Sequence, residues 1–452
     1  MRRYSHCMPV AAAMLAACAA PVPEVDPVGD AAAATAAANA IVYRDEAEPV
    51  DAAEPAIGVL TGEQAVRAAL SHDPRLQEAL ANARAALAAA SEARRWPNPV
   101  LDVMFRFPDG GGRTMVDAGL SGDVLAILQT PTRAAAADQR LRAACAQVVT
   151  TAIDVVAEVQ RSYARVQALD TEAPVLAAQV QVAQRLAELG RARLAAGDAT
   201  QLEVAEIEAV RVQVEVEAAG RSRERAAERL RLLRLLGAPG GEQTFALTPW
   251  AAPPHLAASE RQLIAVALQR RPELAAARAE VEALGDDLEL AGLSWLAGAR
   301  FGAAFEREDV ASVGPAVALP LPVFDDGQAR QDRVRAELVG ARHRATARGR
   351  EVVEAVRVAV TDAGVAAARL ARVNDELLPL QQRRWTLAEA AWRAGEGEVG
   401  AVLRAEQELR AAEGTLLLLQ RDVWVARIEL ERAVGGPAAL AAAEQHEQGG
   451  KE

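Results

Sequence analysis

The chain is written twice. Ala69-Leu70-Ser71-His72-Asp73-Pro74-Arg75-Leu76 returns 198 positions later as Ala267-Leu268-Gln269-Arg270-Arg271-Pro272-Glu273-Leu274. At the same offset Ala196-Gly197-Asp198 becomes Ala394-Gly395-Glu396, and Leu236-Gly237 becomes Val434-Gly435. Three short matches in one register identify a tandem duplication, each half being one copy of the same supersecondary unit. At 452 residues the chain also exceeds the roughly 250–300 at which a single core stops growing. Two copies of an elongated unit satisfy both constraints, whereas one compact domain does not.

Within each copy the apolar period changes along the chain. Thr61–Arg95 has a helical pattern, with Thr61 as N-cap, Gln64 as its capping-box partner, and Trp96-Pro97-Asn98-Pro99 as the stop. Period two follows. Leu101, Val103, Phe105 and Phe107 alternate with Asp102, Met104 and Arg106; beyond the turn, Val116, Ala118 and Leu120 alternate with Asp117, Gly119 and Ser121. That is a β-hairpin with one apolar face. The second copy sets Phe301, Ala303 and Phe305 against Arg300, Gly302 and Glu306, then Val313, Pro315, Val317 and Leu319 against Gly314, Ala316 and Ala318. Pro315 and Pro320 weaken this last strand.

After each hairpin comes a long helical stretch, Pro131–Ala196 and Ala329–Ala394, then a glycine and a return helix, Thr200–Leu236 and Glu398–Val434. At 1.5 Å per residue the outgoing arms measure on the order of 100 Å and the return arms about 55 Å. The helix leading into the next hairpin makes up the difference, with the Pro/Gly-rich stretch Ala238–Ala258 as a side excursion. Pro174 and Pro379 should kink the outgoing arms. The last return arm carries Val402, Leu409, Leu416, Val423 and Leu430 at one heptad position and Ala405, Ala412, Leu419, Ala426 and Ala433 at the other. A period of 3.5 sustained this long indicates a coiled-coil contact, and the alanines allow close approach.

Composition narrows the chemistry. Aromatic residues are 3% of a chain whose hydrophobic class reaches 51%, so the apolar content is aliphatic and suits packed helices. The net charge of −12 disfavours nucleic acid as a partner, since phosphate neutralisation calls for a basic surface. The five histidines, His6, His72, His255, His343 and His446, have no metal or triad spacing, and no Gly-rich phosphate loop follows a strand. Neither an enzyme nor a bound cofactor is indicated. Cys7, Cys18 and Cys145 form no disulfide framework.

The N-terminus has the layout of an export signal: Met1-Arg2-Arg3, an apolar run from Met8 to Ala17, then small residues. Leu15-Ala16-Ala17-Cys18 resembles the bacterial lipoprotein signal, whose cleavage leaves the cysteine, here Cys18, as the acylated N-terminus. The Ala/Pro/Asp/Glu segment to about Ala56 reads as a flexible tether. No further stretch has 18 uncharged apolar residues, so any membrane crossing is not helical. Two hairpins cannot close a barrel, and an open four-stranded sheet would leave its edges exposed. Further copies of the chain would supply the missing strands, with lipid outside and water inside. A soluble sheet covering one end of a helical bundle is the alternative reading.

Several of these segments together carry a resemblance. Leu60-Thr61, Ala65-Val66, Ala69-Leu70, Pro74-Arg75-Leu76, Trp96-Pro97-Asn98-Pro99, the run Leu319-Pro320-Leu321-Pro322-Val323-Phe324-Asp325-Asp326-Gly327, and Gly395 with Val402-Leu403-Arg404-Ala405-Glu406-Gln407-Glu408-Leu409 are similar to the TolC-type outer-membrane efflux family, lipoprotein branch. The similarity covers Gly58 to Gly436. It implies a mainly α fold of tandem-duplicated long antiparallel helices with a small β part. Four strands per chain would contribute to a trimeric, twelve-stranded transmembrane β-barrel above a periplasmic α-barrel. The chain then divides into a lipoprotein signal peptide (1–17), a flexible tether (18–57), a first repeat (58–237), an equatorial linker (238–258), a second repeat (259–436) and a C-terminal tail (437–452).

The function this resemblance implies is that of the exit duct of a tripartite, RND-type efflux system in the outer membrane of a Gram-negative bacterium. Its expected partners are two sister copies, outer-membrane lipid, a periplasmic adaptor and an inner-membrane transporter. Cys18 would carry the lipid, and Gly197 and Gly395 would mark the tip that docks the adaptor. Some members of the family narrow the periplasmic aperture with aspartates. Here the corresponding positions are Ala401 and Arg404, while Asp198, Glu203, Glu206, Glu396 and Glu398 lie nearby. Threefold repetition of Asp198, Glu203, Glu396 or Glu398 would favour cations. A periplasmic adaptor or a helical scaffold lipoprotein without a pore is the competing class. The cargo, metal cations or small amphiphiles, is not written in the duct.

Overall fold

The computed structural model describes residues 21–37, 40–50, 58–107, 114–242, 244–249, 258–307, 311–394, 396 and 398–448. In chain order these form α1 (Pro27–Thr35), β1 (Val59–Leu60), α2 (Gly62–His72), α3 (Pro74–Ala93), β2 (Val100–Arg106), β3 (Met115–Asp123), α4 (Val124–Leu128), α5 (Thr130–Ala196) and α6 (Gln201–Leu235). There follow β4 (Ala246–Leu247), α7 (Glu260–Arg270), α8 (Pro272–Gly292), β5 (Arg300–Arg307), β6 (Ala311–Ala318), α9 (Gln328–Arg372), α10 (Leu378–Arg393), α11 (Val399–Val434) and α12 (Pro437–Gln448). The chain is mainly helical with a small β part.

The helix starts repeat with the sequence. Thr61 Oγ1 accepts the Gln64 N–H at 3.1 Å and Gln64 Oε1 accepts the Thr61 N–H at 3.0 Å; Ser259 and Gln262 form the same capping box before α7. The single helix expected over Thr61–Arg95 is instead two. Asp73 and Arg271 are extended, with ψ of 118° and 123°, because a following proline disfavours the helical region, and that proline then opens the next helix at its first position. Asp73 also caps α3, accepting the Arg75 N–H at 2.8 Å.

One unit consists of residues 79–148 and 272–349 with the described part of the N-terminal segment up to Pro27. Its sheet runs β2-β3-β5-β6, antiparallel throughout. β6 continues through Pro315, contrary to the expected weakening. It is an edge strand, where a residue without an N–H is tolerated. Among the helical segments below the strands, Arg94 is buried and its Nη2 donates to both Asp138 oxygens at 2.6 and 2.7 Å. Val22, Val25, Ala86 and Ala93 pack against the buried cluster of Ala90, Ala137, Leu141 and Cys145.

The other unit holds residues 28–78, 149–271 and 350–452. α5 has a window long and apolar enough to cross a bilayer by length and composition, yet Val155, Val159 and Val166 in it are wholly buried by packing. The heptad seam of α11 is realised: Ala405, Ala412, Leu419, Ala426 and Ala433 are all buried, together with Leu409 and Leu430. Pro174 lies inside an unbroken α5. Pro379 follows a π turn, Val373–Leu377, which widens the helix where the ring cannot donate and would crowd the preceding carbonyls.

Two segments differ from the sequence reading. The described part of the tether is docked rather than free: Ala31, Ala37, Ala40 and Ile41 are buried, and Arg44 Nη1 donates to Ser71 O at 2.7 Å. Alanines too small to signal a core still fill one where they pack against helices. The C-terminal tail is helix α12, with Leu440 and Ala443 buried.

Candidate functional site

Each outgoing arm ends in a turn built by glycine chemistry. Gly197 takes φ +82°. The Asp198 N–H then donates to Arg193 O at 2.8 Å and the Gly197 N–H to Leu194 O at 3.1 Å, closing the helix end. In the second repeat the Glu396 N–H donates to Ala391 O at 2.9 Å; Gly395 lies outside the described residues. Asp198, Glu396 and Glu398 are all exposed. Glu398 is the N-cap of α11 with no side-chain bond to it.

Glu203 does a different job. Its carboxylate accepts the Thr200 N–H at 2.7 Å and the Thr200 hydroxyl at 3.1 Å, and its own N–H donates to Thr200 Oγ1. Those bonds hold its pKa below the usual glutamate value. Behind the turn, Arg191 to Glu208 (2.5 Å) and Gln184 to Glu215 (3.1 Å) fix the register of α5 against α6. The Arg384–Glu408 pair does so for α10 and α11.

The sheet gathers its apolar residues on one face. Leu101 stands opposite Leu120, Val103 opposite Ala118 and Phe105 opposite Val116; Phe301, Ala303 and Phe305 stand opposite Val317, Pro315 and Val313. The β3–β5 register joins the two sets, Leu120 to Ala303 and Ala118 to Phe305. Asp102, Asp117, Ser121, Gly302, Glu306 and Ser312 share the other face, where Arg106 pairs with Asp117. Phe105 and Phe301 are each 58% exposed and Val313 75%, so nothing among the described residues covers the apolar side. Among the described residues the outer strands β2 and β6 each have one unpaired edge.

Residues 263–436 match the outer membrane efflux protein family. That stretch covers most of the second repeat. No curated protein matches the chain in sequence. Solved structures share the fold: the outer-membrane channel OprN (19% identity, TM-score 0.69, covering 84% of this chain and 90% of that one); the outer membrane protein VceC of Vibrio cholerae (19%, 0.68, 83% and 96%); and the outer membrane channel MtrE of Neisseria gonorrhoeae in its open state (16%, 0.66, 88% and 98%). At these identities the likeness establishes the outer membrane efflux fold.

Within that fold, the sequence reading missed one charged group. Glu172 of α5 is 4% exposed, its Oε2 has no hydrogen-bond partner among the described residues, and its Oε1 is 3.7 Å from Arg221 Nε. Burial pushes its pKa up; Arg221 opposes this and Glu224 and Glu217 reinforce it. No local motif marks such a residue, because its burial comes from helices distant in sequence. Among the described residues no group of three His, Cys, Asp or Glu side chains could hold a metal ion.

Proposed function

We propose that this protein is the outer-membrane exit duct of a tripartite, RND-type efflux system. The observation that carries the reading is the sheet: four strands, apolar on one side, small or charged on the other, with two open edges. Such a sheet is stable only where an apolar phase meets the first face and further strands close the edges. Three copies would supply twelve strands, with lipid against Phe105 and Phe301 and water against Asp102 and Glu306. OprN and MtrE, which share the fold, are outer-membrane channels.

The lipid anchor fits the same arrangement. Cys18 lies outside the described residues, four positions before Val22, and four residues reach at most about 14 Å. Val22 packs against the cluster of Ala90, Ala137, Leu141 and Cys145, in the unit that carries the sheet, so the proposed anchor on Cys18 attaches to that unit. The turns at Gly197 and Gly395 are the proposed contact for a periplasmic adaptor, itself joined to an inner-membrane transporter. Asp198 and Glu396 are the proposed aperture carboxylates, and Glu398 a third; Glu203, already spent on its cap, contributes charge but little freedom to move.

The test is conductance. The full-length lipoprotein, purified in detergent and added to planar lipid bilayers, is expected to open stable, cation-preferring pores and to migrate as a trimer. A monodisperse monomer that needs no detergent and conducts nothing would end the proposal.

A further inference from the structure

A helix that packs through a heptad seam should be polar at its outward positions. In α11, Trp424 and Ile428 break that rule: with Glu431 they follow one another at helical spacing, all three off the seam. They form one wall of a cavity of about 460 Å³, a size that suits a small organic ligand. Val66 of α2, Val156, Tyr163 and Ala164 of α5 and Ile428 of α11 are its buried floor, and Glu63, Arg67 and Pro249 are exposed at its rim. The docked N-terminal segment closes one side. Thr35 and Ala37 are buried there, and Ala36 between them takes φ +54°, a left-handed conformation that alanine rarely holds. Backbone of this kind persists only where its surroundings over-determine it, and it concentrates at ligand sites.

Most polar groups around the cavity are spent on one another. The Tyr163 hydroxyl bonds Leu60 O at 2.9 Å and Thr248 Oγ1 at 2.7 Å, Gln167 Nε2 donates to Thr248 O at 2.7 Å, and Arg67 pairs with Glu63. Glu431 is the exception. Its Oε1 lies 3.3 Å from Arg427 Nε, but the same guanidinium also holds Glu444 at 3.3 and 3.4 Å. One cation thus serves two carboxylates, and among the described residues neither carboxylate has a second cation in ion-pair contact. Burial pushes the Glu431 pKa up; Arg427 opposes this and Glu444 reinforces it.

We propose that this cavity binds a small organic cation with a single charge and an apolar body, such as a quaternary ammonium, with its charge beside Glu431 and its body against Trp424 and Tyr163. A cation there supplies the missing counter-charge, and aromatic faces attract such cations where water is excluded. A neutral ligand would leave the surplus charge uncompensated, and an anion would add to it. All these groups lie in the unit of residues 28–78, 149–271 and 350–452, so the site does not rest on the sheet's role in a membrane.

Isothermal titration of the full-length protein in detergent tests this. The probe is benzyltrimethylammonium, benzenesulfonate is the anion of similar size, and protein-free detergent sets the baseline. The expected result is saturable binding of the cation and none of the anion. Glu431→Gln and Trp424→Leu should each weaken the cation's binding about tenfold or more. Glu444→Gln leaves Arg427 to neutralise Glu431 alone, and should weaken binding without removing any group from the cavity wall. Thermal melting followed by circular dichroism reports whether each variant is folded; should Glu431→Gln not fold, the other two decide. No saturable binding at millimolar cation, equal binding of the anion, or unchanged affinity in both Trp424→Leu and Glu444→Gln would overturn the proposal.

Discussion

Gly302 faces the backbone of Leu120 with no room for a side chain between them. A Cβ on Gly302 would run into Leu120 O and stand 2.7 Å from Ser121 Cα. The obstacles are main-chain atoms, which have no rotamer to escape into. This contact lies in the β3–β5 ladder, where the hairpin of the first repeat is joined to that of the second.

Gly302→Val therefore splits the sheet. Overpacking of this kind costs about 1–3 kcal/mol in a core that can adjust, and a ladder pressed against backbone adjusts less. The helices do not depend on the contact, so the far-ultraviolet circular dichroism of the variant is expected to keep its helical signal while insertion into bilayers is lost. Normal insertion of Gly302→Val would show that β3 and β5 are not paired as described.

The helical tips separate charge from structure. Asp198→Asn and Glu396→Gln, each at an end turn, are expected to weaken cation preference in single-channel recordings while leaving assembly intact. Glu203→Ala should do the reverse. It removes the carboxylate that accepts from the Thr200 N–H and hydroxyl, so the first turn of α6 frays and its amides exchange faster, with ion selectivity little changed. An equal selectivity loss from all three substitutions would mean that Glu203 also lines the aperture.

Glu172 predicts a pH dependence. Its pKa in the folded chain is raised above the ordinary 4.5 by burial, so the folded form keeps a proton that the unfolded chain releases. Stability from this group is fully present below about pH 4.5 and is lost as pH rises toward and through the raised value, where the buried carboxylate must ionise. Glu172→Gln removes that loss. The variant is expected to melt higher than the parent at neutral pH, with the difference closing as pH falls toward 4.5. A difference that widens on acidification would mean that Arg221 dominates and that the pKa is lowered.

Much of this architecture was legible because the same signals occur twice. Thr61 with Gln64 announces a helix start that Ser259 with Gln262 repeats in the structure, the alternation from Leu101 to Phe107 announces a strand, and the alanines at Ala405, Ala412, Ala426 and Ala433 mark a seam that the packing buries. What escaped detection depends on contacts between distant segments. The docked segment containing Ile41 is indistinguishable in composition from a free linker, and Glu172 meets Arg221 of α6, 49 positions on, only in the folded chain. Pro315 was misread for a related reason: whether a proline is tolerated depends on the strand being an edge, which only the topology decides. The breaks at Asp73 and Arg271 were visible in Pro74 and Pro272, but the helical periodicity on either side outweighed them.

Arg229 gives the last prediction. It is 8% exposed, donates to Asp170 Oδ2 at 2.5 Å and to Phe245 O at 2.9 Å, and lies 4.7 Å from the centre of the Phe245 ring. One guanidinium thus ties α6 to α5 and to the residue preceding β4. In Arg229→Ala, Asp170 keeps Arg225 at 2.6 Å, so the carboxylate is not stranded. The loss falls on the Phe245 carbonyl and the stacked ring, about 2–3 kcal/mol by the usual value of charge-assisted bonds. Arg229→Lys restores the charge but not the planar fork, and should recover only part. The readout is local: the Ala246 and Thr248 amides, which donate to Gly58 O and Leu60 O, should exchange about 30-fold faster or more in the alanine variant. Unchanged exchange at both amides would mean that β4 is held by Tyr163, whose hydroxyl also bonds Leu60 O and Thr248, and not by Arg229.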